Sequence, residues 1–179
     1  GHRLATDKQG NYDSDLGMER IRKYATDFGL NEKSGVELDE ADPRISNYDP
    51  ERSAMGQANH AYNAAQLAKY ITAVANSGSL YKLSIVEKIV DPRNNTVEEN
   101  SPVLLKKLSY HDVTWNAVHE GLRKVITEGV AKNVFLGQDI AVAGKTGTAQ
   151  EREDRGNHAV FVSYAPYDNP EISEDLQSF

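Results

Sequence analysis

The chain contains no cysteine. That excludes disulfides, thiolate metal sites and a cysteine nucleophile, and leaves the redox compartment open, because a cysteine-free chain suits either side of a membrane. Long apolar runs are also missing: nothing approaches the ~18 consecutive apolar residues of a membrane span. The opening stretch GHRLATDKQG lacks the apolar centre of a secretory signal and reads as a loop entered halfway. Basic excess is absent too. A formal net charge of −7 leaves no surplus of cations to neutralise phosphates, which argues against nucleic-acid binding. The local basic clusters RIRK (20–23) and LLKK (104–107) read as solvated helix and loop faces. The five histidines do not cluster; His111 and His119 lie eight residues apart, too far for an i, i+4 metal pair, and each histidine reads as structural or exposed. DEADP (39–43) has three acids but not the spacing of a calcium loop. No metal and no cofactor are expected.

The composition, 39% hydrophobic and 26% charged, is that of a folded domain rather than a disordered one, and 179 residues suffice for one real core. Residues 1–14 read as loop. From Asp15 the pattern turns helical: Ile21, Tyr24, Ala25 and Phe28 share a face, with Asp15 as cap and Gly29 as stop. Val36–Leu38 reads as a short extended piece, and Pro43 and Pro50 keep residues 42–52 irregular. Asn63 and Gln66 form a capping-box pattern ahead of a helix with Leu67, Tyr70, Ile71 and Val74 on its apolar face, stopped near Gly78. LSIVEKIVD is β-rich, and Asn94–Asn95 turns it into Thr96–Val97. A third helix spans about 111–128 with Trp115, Val118, Leu122, Val125 and Ile126 on one face, and AKNVF adds a short helical turn. Ile140–Gln150 and His158–Tyr164 read as two strands of an antiparallel hairpin around the charged EREDRGN. SEDLQSF is a candidate further strand. Strands are segregated rather than alternating with helices, which is α+β patterning.

The first of those hairpin strands carries the chemistry-bearing residues Lys145, Thr146, Gly147 and Thr148. Alternation turns Lys145 and Gly147 to one face and Thr146 and Thr148 to the other. A glycine inside a strand marks close approach of another backbone or a ligand. At a sheet edge such a strand can pair with an extended peptide. Lys145 then offers charge, the threonine hydroxyls offer donors to a carboxylate, and the Thr148 N–H offers a donor to an oxyanion.

AGKTGTAQ followed by a charged turn and HAVFVSYAP closely resembles the Lys-Thr-Gly hairpin of penicillin-binding proteins, the serine DD-transpeptidases that cross-link peptidoglycan. VHEGLRKVITEGVAKNVF looks like the helix and turn before that motif, and SAMGQANHAYNAAQLAKYITAVANSGSLYKLSIVEKI looks like the family's Gly-Gln segment, helix and strand. IRKYATDFGLNEKSGVEL looks like the helix and loop after the second motif. The likeness covers most of 15–170 and has the style of the class B monofunctional enzymes. It implies helices packed on an antiparallel sheet, an incomplete penicillin-binding, β-lactamase-like fold. The whole of 1–179 would be the C-terminal part of a transpeptidase domain: a loop at 1–14, helices, loops and short strands over 15–110, and a helix plus the Lys-Thr-Gly hairpin over 111–179.

The family works with Ser-x-x-Lys, Ser-x-Asn and Lys-Thr-Gly in that order, and its first serine is acylated by a stem peptide or a β-lactam. By resemblance Lys145 would hold the proton network and substrate charge, Thr146 or Thr148 would bind the carboxylate, and the Thr148 N–H would belong to the oxyanion hole. Ser-x-Asn does not occur in the chain. Ser79-Leu80-Tyr81-Lys82 matches Ser-x-x-Lys, but it follows a helix end and leads into a strand, so Ser79 is set aside as nucleophile. The chain alone is therefore expected to be inactive and to need the remainder of its domain. The parent is expected at the outer face of the bacterial cell membrane, and exposed sheet edges are expected to favour self-association. Gly56–Gln57 is either functional, by resemblance only, or a plain turn. Two alternatives stand beside this reading: a non-catalytic penicillin-recognition or structural module of the same fold, and a serine β-lactamase, which residues 29–110 fit poorly.

Overall fold

The computed structural model describes residues 1–149 and 156–170. The helices are α1 (Ser14–Asp27), α2 (Pro50–Ala54), α3 (Ala64–Ala75) and α4 (Asp112–Thr127). The strands are β1 (Ser79–Tyr81), β2 (Lys88–Val90), β3 (Thr96–Glu99), β4 (Leu104–Lys107), β5 (Ala143–Ala149) and β6 (His158–Tyr164). Among the described residues they form three two-stranded antiparallel pairs, β1–β4, β2–β3 and β5–β6. The α+β class read from the sequence is the architecture observed.

The core sits where α3, β1, α4 and β5 meet. Ile71, Val74, Leu80, Leu108, Trp115, Ile126 and Ala143 are buried there. An aromatic cluster closes it from the α1 side: Phe28 packs edge-on to Tyr70 at 5.3 Å and to Trp115 at 6.2 Å. Such ring pairs add specific attraction to their area burial. α3 begins with the capping box that the sequence predicts. The Asn63 side chain accepts from the Gln66 N–H at 2.8 Å, and the Gln66 side chain accepts from the Asn63 N–H at 2.9 Å. It ends through Gly78, whose φ of +100° is closed to most L residues. A Cβ there would lie 2.8 Å from the Trp115 ring.

Several local expectations are corrected. The N-cap of α1 is Asp13, which accepts from the Leu16 N–H at 3.0 Å, rather than Asp15. Residues 1–14 are not all loop, because His2–Ala5 form a 3-10 turn. The stretch 42–52 is not irregular throughout: Asp49 caps α2, and Pro50, at the first helical position, has no N–H to lose. Val36–Leu38 forms no strand, and of LSIVEKIVD only Lys88–Val90 pairs. LLKK is neither helix nor loop but strand β4, with Lys106 and Lys107 opposite Leu80 and Ser79 of β1. Val118 lies 40% exposed, so the apolar face of α4 is only partly covered. The candidate strand SEDLQSF and most of the charged turn lie outside the described residues.

Two ionic ties hold the outer segments. Asp27 accepts from Lys106 at 2.8 Å, Lys23 at 2.8 Å and Tyr110 at 3.0 Å, joining α1 to β4 and to the approach to α4. Those hydrogen bonds, Lys106 first, hold its carboxyl down at about 2. Lys69, on α3, is 2% exposed and donates to Glu32 Oε1 at 3.2 Å and to the Lys33 carbonyl at 3.3 Å. Its ammonium is buried while the partner carboxylate is half in water. Removing the partner strands a buried charge, whereas removing the lysine leaves a carboxylate that water can solvate. Glu32→Ala should therefore cost about 3 kcal/mol of stability, and Lys69→Met should cost much less. Urea unfolding of both variants checks the order, and a more damaging Lys69→Met would refute it.

Candidate functional site

β5 and β6 pair in register over seven residues, from Ala143 opposite Tyr164 to Ala149 opposite His158. Strand β5 runs as one straight ladder because Gly144 admits β6 closely. A Cβ at Gly144 would lie 2.7 Å from the Val162 carbonyl oxygen and 2.8 Å from the Phe161 ring. Gly147 is different. A Cβ there would meet nothing nearer than 3.7 Å, so packing within the described residues does not demand a glycine. Gly144 serves the fold, and Gly147 leaves the surface above the strand clear.

Which edge of β5 is open follows from the hydrogen bonds around it. The Ala141 carbonyl accepts from the Tyr167 N–H at 2.7 Å, on the β6 side. The Val142 carbonyl instead accepts from Arg123 Nη1 at 2.7 Å, and the Thr148 carbonyl from Gln57 Nε2 at 3.2 Å. The Thr146 carbonyl accepts from Lys145 Nζ. Even-numbered residues thus turn their carbonyls away from β6. In an antiparallel strand a residue's N–H lies on the same edge as its C=O. The N–H groups of Thr146 and Thr148 therefore face the open edge. Lys145, exposed, brings its ammonium to that edge. All four residues singled out in the sequence lie on this one strand.

Gln57 is the part that the sequence left undecided. It follows α2 in a turn where the Gly56 N–H donates to Ser53 O at 3.0 Å and the Gln57 N–H to Arg52 O at 2.9 Å. Gly56 and Ala58 on either side have φ of +79° and +66°. Behind the turn lies a polar network. Ser53 Oγ donates to Ser46 Oγ at 2.7 Å or to Tyr48 O at 2.8 Å. His60 Nδ1 accepts from the Ser46 N–H at 3.1 Å, while Nε2 lies 3.1 Å from Ser53 O. That partner set assigns the neutral Nε2–H tautomer, and burial pulls the His60 pKa down, which keeps it neutral. The only sequence hint of this arrangement was the Gly-Gln pair itself.

Ser79 lies elsewhere. It is the first residue of β1, its N–H donates to Asn76 Oδ1 at 2.7 Å, and its hydroxyl accepts from Lys107 Nζ at 2.7 Å. Lys82, three residues on, lies beyond the end of β1 and leans on Gly35, where a Cβ would meet its Cγ at 2.7 Å. A concavity beside β1, lined by Tyr81, Lys82, Ile85, Asn100 and Val103, includes neither Ser79 nor any residue of β5. Among the described residues no group of acidic and histidine side chains has the arrangement of a metal site. No helix among them is long and apolar enough to cross a membrane.

Strand β5 thus lies at the open edge of an antiparallel pair and packs on α4, and the comparisons give the chain a family. The chain belongs to the penicillin-binding protein transpeptidase domain family, which matches residues 9–173. It is 32% identical over 170 residues to stage V sporulation protein D of Bacillus subtilis (strain 168), an overlap of 88% of this chain and 26% of that protein. It is 28% identical over 183 residues to penicillin-binding protein 2B of Streptococcus pneumoniae (strain R6), covering 92% of this chain and 26% of the relative. The solved structure of penicillin-binding protein 2B from S. pneumoniae R6 superposes with a TM-score of 0.73 at 27% identity, over 86% of this chain and 27% of the other. A D,D-transpeptidase domain from Eggerthella lenta shares the fold with a TM-score of 0.71 at 23% identity, over 87% and 42%. The chain thus spans about a quarter of the length of the curated relatives it matches.

The two glycines of β5 are separable by experiment. Gly144→Ala should destabilise by about 2 kcal/mol through overpacking against β6. Gly147→Ala should leave the melting temperature within about 2 °C of the parent, as expected where the added methyl meets only ordinary van der Waals contacts. Calorimetric melting of both variants checks this, and equal losses would contradict the distinction.

Proposed function

We propose that this chain forms the third-motif wall of a peptidoglycan DD-transpeptidase active site, with Lys145, Thr146, Gly147 and Thr148 as its working residues. The observation that carries the reading is the open edge of β5. Two outward-facing backbone positions and the Lys145 ammonium lie together on it, beside Gly147, where an added Cβ would meet nothing nearer than 3.7 Å. A stem peptide or a β-lactam adds to that edge as an extended strand. The Thr148 N–H donates to the carbonyl oxygen under attack, the hydroxyl of Thr146 or Thr148 takes the substrate carboxylate, and Lys145 steadies that charge and the proton path.

The chemistry is acyl transfer. A serine oxygen attacks the penultimate D-alanine carbonyl, the terminal D-alanine leaves as an amine with the serine proton, and an amine of a second stem peptide then displaces the ester and returns a proton to the serine. We assign the serine to polypeptide other than these 179 residues. Ser79 faces Lys107 across a β ladder instead of Lys82, and Ser-x-Asn is absent from the sequence. The protein acts at the outer face of the cell membrane, where peptidoglycan is built. The outer edges of the β5–β6 pair, which have no neighbouring strand among the described residues, also favour association of two copies.

Intact-mass measurement after incubation with penicillin tests the assignment. The 179-residue chain should take no adduct, and the full gene-encoded protein that contains it should take one. Lys145→Ala in that protein should slow acylation by at least a hundredfold, on the order of what one lost electrostatic stabiliser costs. A stoichiometric adduct on the 179-residue chain would make Ser79 the nucleophile. Absence of an adduct on the full protein would favour the non-catalytic penicillin-recognition reading. Light scattering of the 179-residue chain at high concentration should give a dimer, and a monodisperse monomer would refute the association.

A further inference from the structure

We propose that Gln57 is a positioning residue for the acylation step: it clamps the Thr148 carbonyl and thereby holds the Thr148 N–H on aim at the developing oxyanion. This rests on the transpeptidase reading of β5. Thr148 is the second-last residue of β5, at the end of a two-stranded ladder where strands fray. Its outward backbone groups have no neighbouring strand among the described residues. A donor to an oxyanion contributes only if it is already oriented when charge develops. The Gln57 carboxamide, 91 residues away in sequence, reaches Thr148 O at 3.2 Å and supplies the missing restraint from the open side.

The loop behind Gln57 is built to deliver it. Ala58 carries a Cβ yet sits at φ +66°, a conformation that costs roughly 1–2 kcal/mol. Such strain persists only where surroundings over-determine it. Here they do. Asn59 Nδ2 donates to Asn47 Oδ1 at 2.9 Å, Arg44 Nε donates to Asn59 O at 2.6 Å, and His60 ties the next residue to Ser46 and Ser53. Between Gly56 and Ala58, both left-handed, the Gln57 side chain projects at β5. No other described contact of the Gln57 side chain accounts for that effort.

The test uses the full gene-encoded protein and a chromogenic or fluorescent penicillin, with the saturating acylation rate and the half-saturating concentration read separately. Gln57→Met keeps the length and removes the donor; Gln57→Glu keeps the length and presents a carboxylate to a carbonyl. Both should lower the saturating rate by about tenfold, the equivalent of one net hydrogen bond, with the half-saturating concentration changed less than threefold. Melting temperatures should stay within about 2 °C, since the half-buried side chain makes a single hydrogen bond among the described residues. An unchanged rate would overturn the proposal. A faster rate would also overturn it and make Gln57 a competitor for the strand edge. A change confined to the half-saturating concentration would make Gln57 a ligand contact instead. If the unsubstituted protein is not acylated, it is the transpeptidase reading that fails, and the exchange rate in the 179-residue chain of the Ala149 amide, which faces β6 at the end of the ladder, then decides the clamp. Faster exchange in Gln57→Met supports it, and an equal rate refutes it.

Discussion

Everything at the candidate site depends on the register of β5 against β6. A strand has two faces and two edges, and a slip of one residue exchanges all of them. In the register observed, Lys145 and Gly147 share a face, and the backbone N–H groups of Thr146 and Thr148 point to the open edge. Contacts at the entry to the hairpin hold that register. Ala143 is fully buried, Gly144 slides beneath the Phe161 ring, and Phe135 packs on Phe161 at 5.6 Å. Arg123, from α4, takes the Val142 carbonyl, and the Tyr167 N–H takes that of Ala141. A shifted strand would bring a side chain into the space that only Gly144 leaves.

The first half of the chain is held differently. Between α1 and α3 the chain has little regular structure, and polar side chains do what ladders do elsewhere. Glu40 accepts from the Ser34 N–H and hydroxyl, both at 2.9 Å, and from Asn63 Nδ2 at 2.9 Å. Desolvation raises its pKa, yet the bonds from Asn63 and Ser34 outweigh this and leave it lowered. Ser34 and Ser46 are fully buried and hydrogen-bonded, as buried hydroxyls must be. This webbing lets an irregular segment present Gln57 with the definition of a regular element.

The sequence made the strong periodic elements legible. The capping box of α3, the Trp115 helix and both strands of the β5–β6 hairpin were all readable, because their residues satisfy local rules alone. What escaped was set by distant partners. Strand β4 looks like a basic surface run until its pairing with β1, more than twenty residues away, is known. Helix α2 is only five residues long and owes its place to Asp49 and to burial of Pro50. Within the candidate site, the residues proposed on β5 could be named from their pattern. The partner of Thr148 could not, because a Gly-Gln pair has no periodicity and its meaning lies in a contact across the fold. The two glycines of the motif region look equivalent in sequence, and only the neighbouring strand separates Gly144 from Gly147.

The distance along the chain between Gln57 and Thr148 has a kinetic consequence. Helices and the β5–β6 hairpin close short loops and form early. The Gln57–Thr148 contact spans 91 residues and bears a large closure entropy for one hydrogen bond. On loop-closure grounds the contact forms late, after nearer elements have brought the two halves together. The open edge of β5 therefore acquires its final shape late in folding. A partly folded chain with an intact hairpin would present the motif residues on a strand end that nothing yet holds.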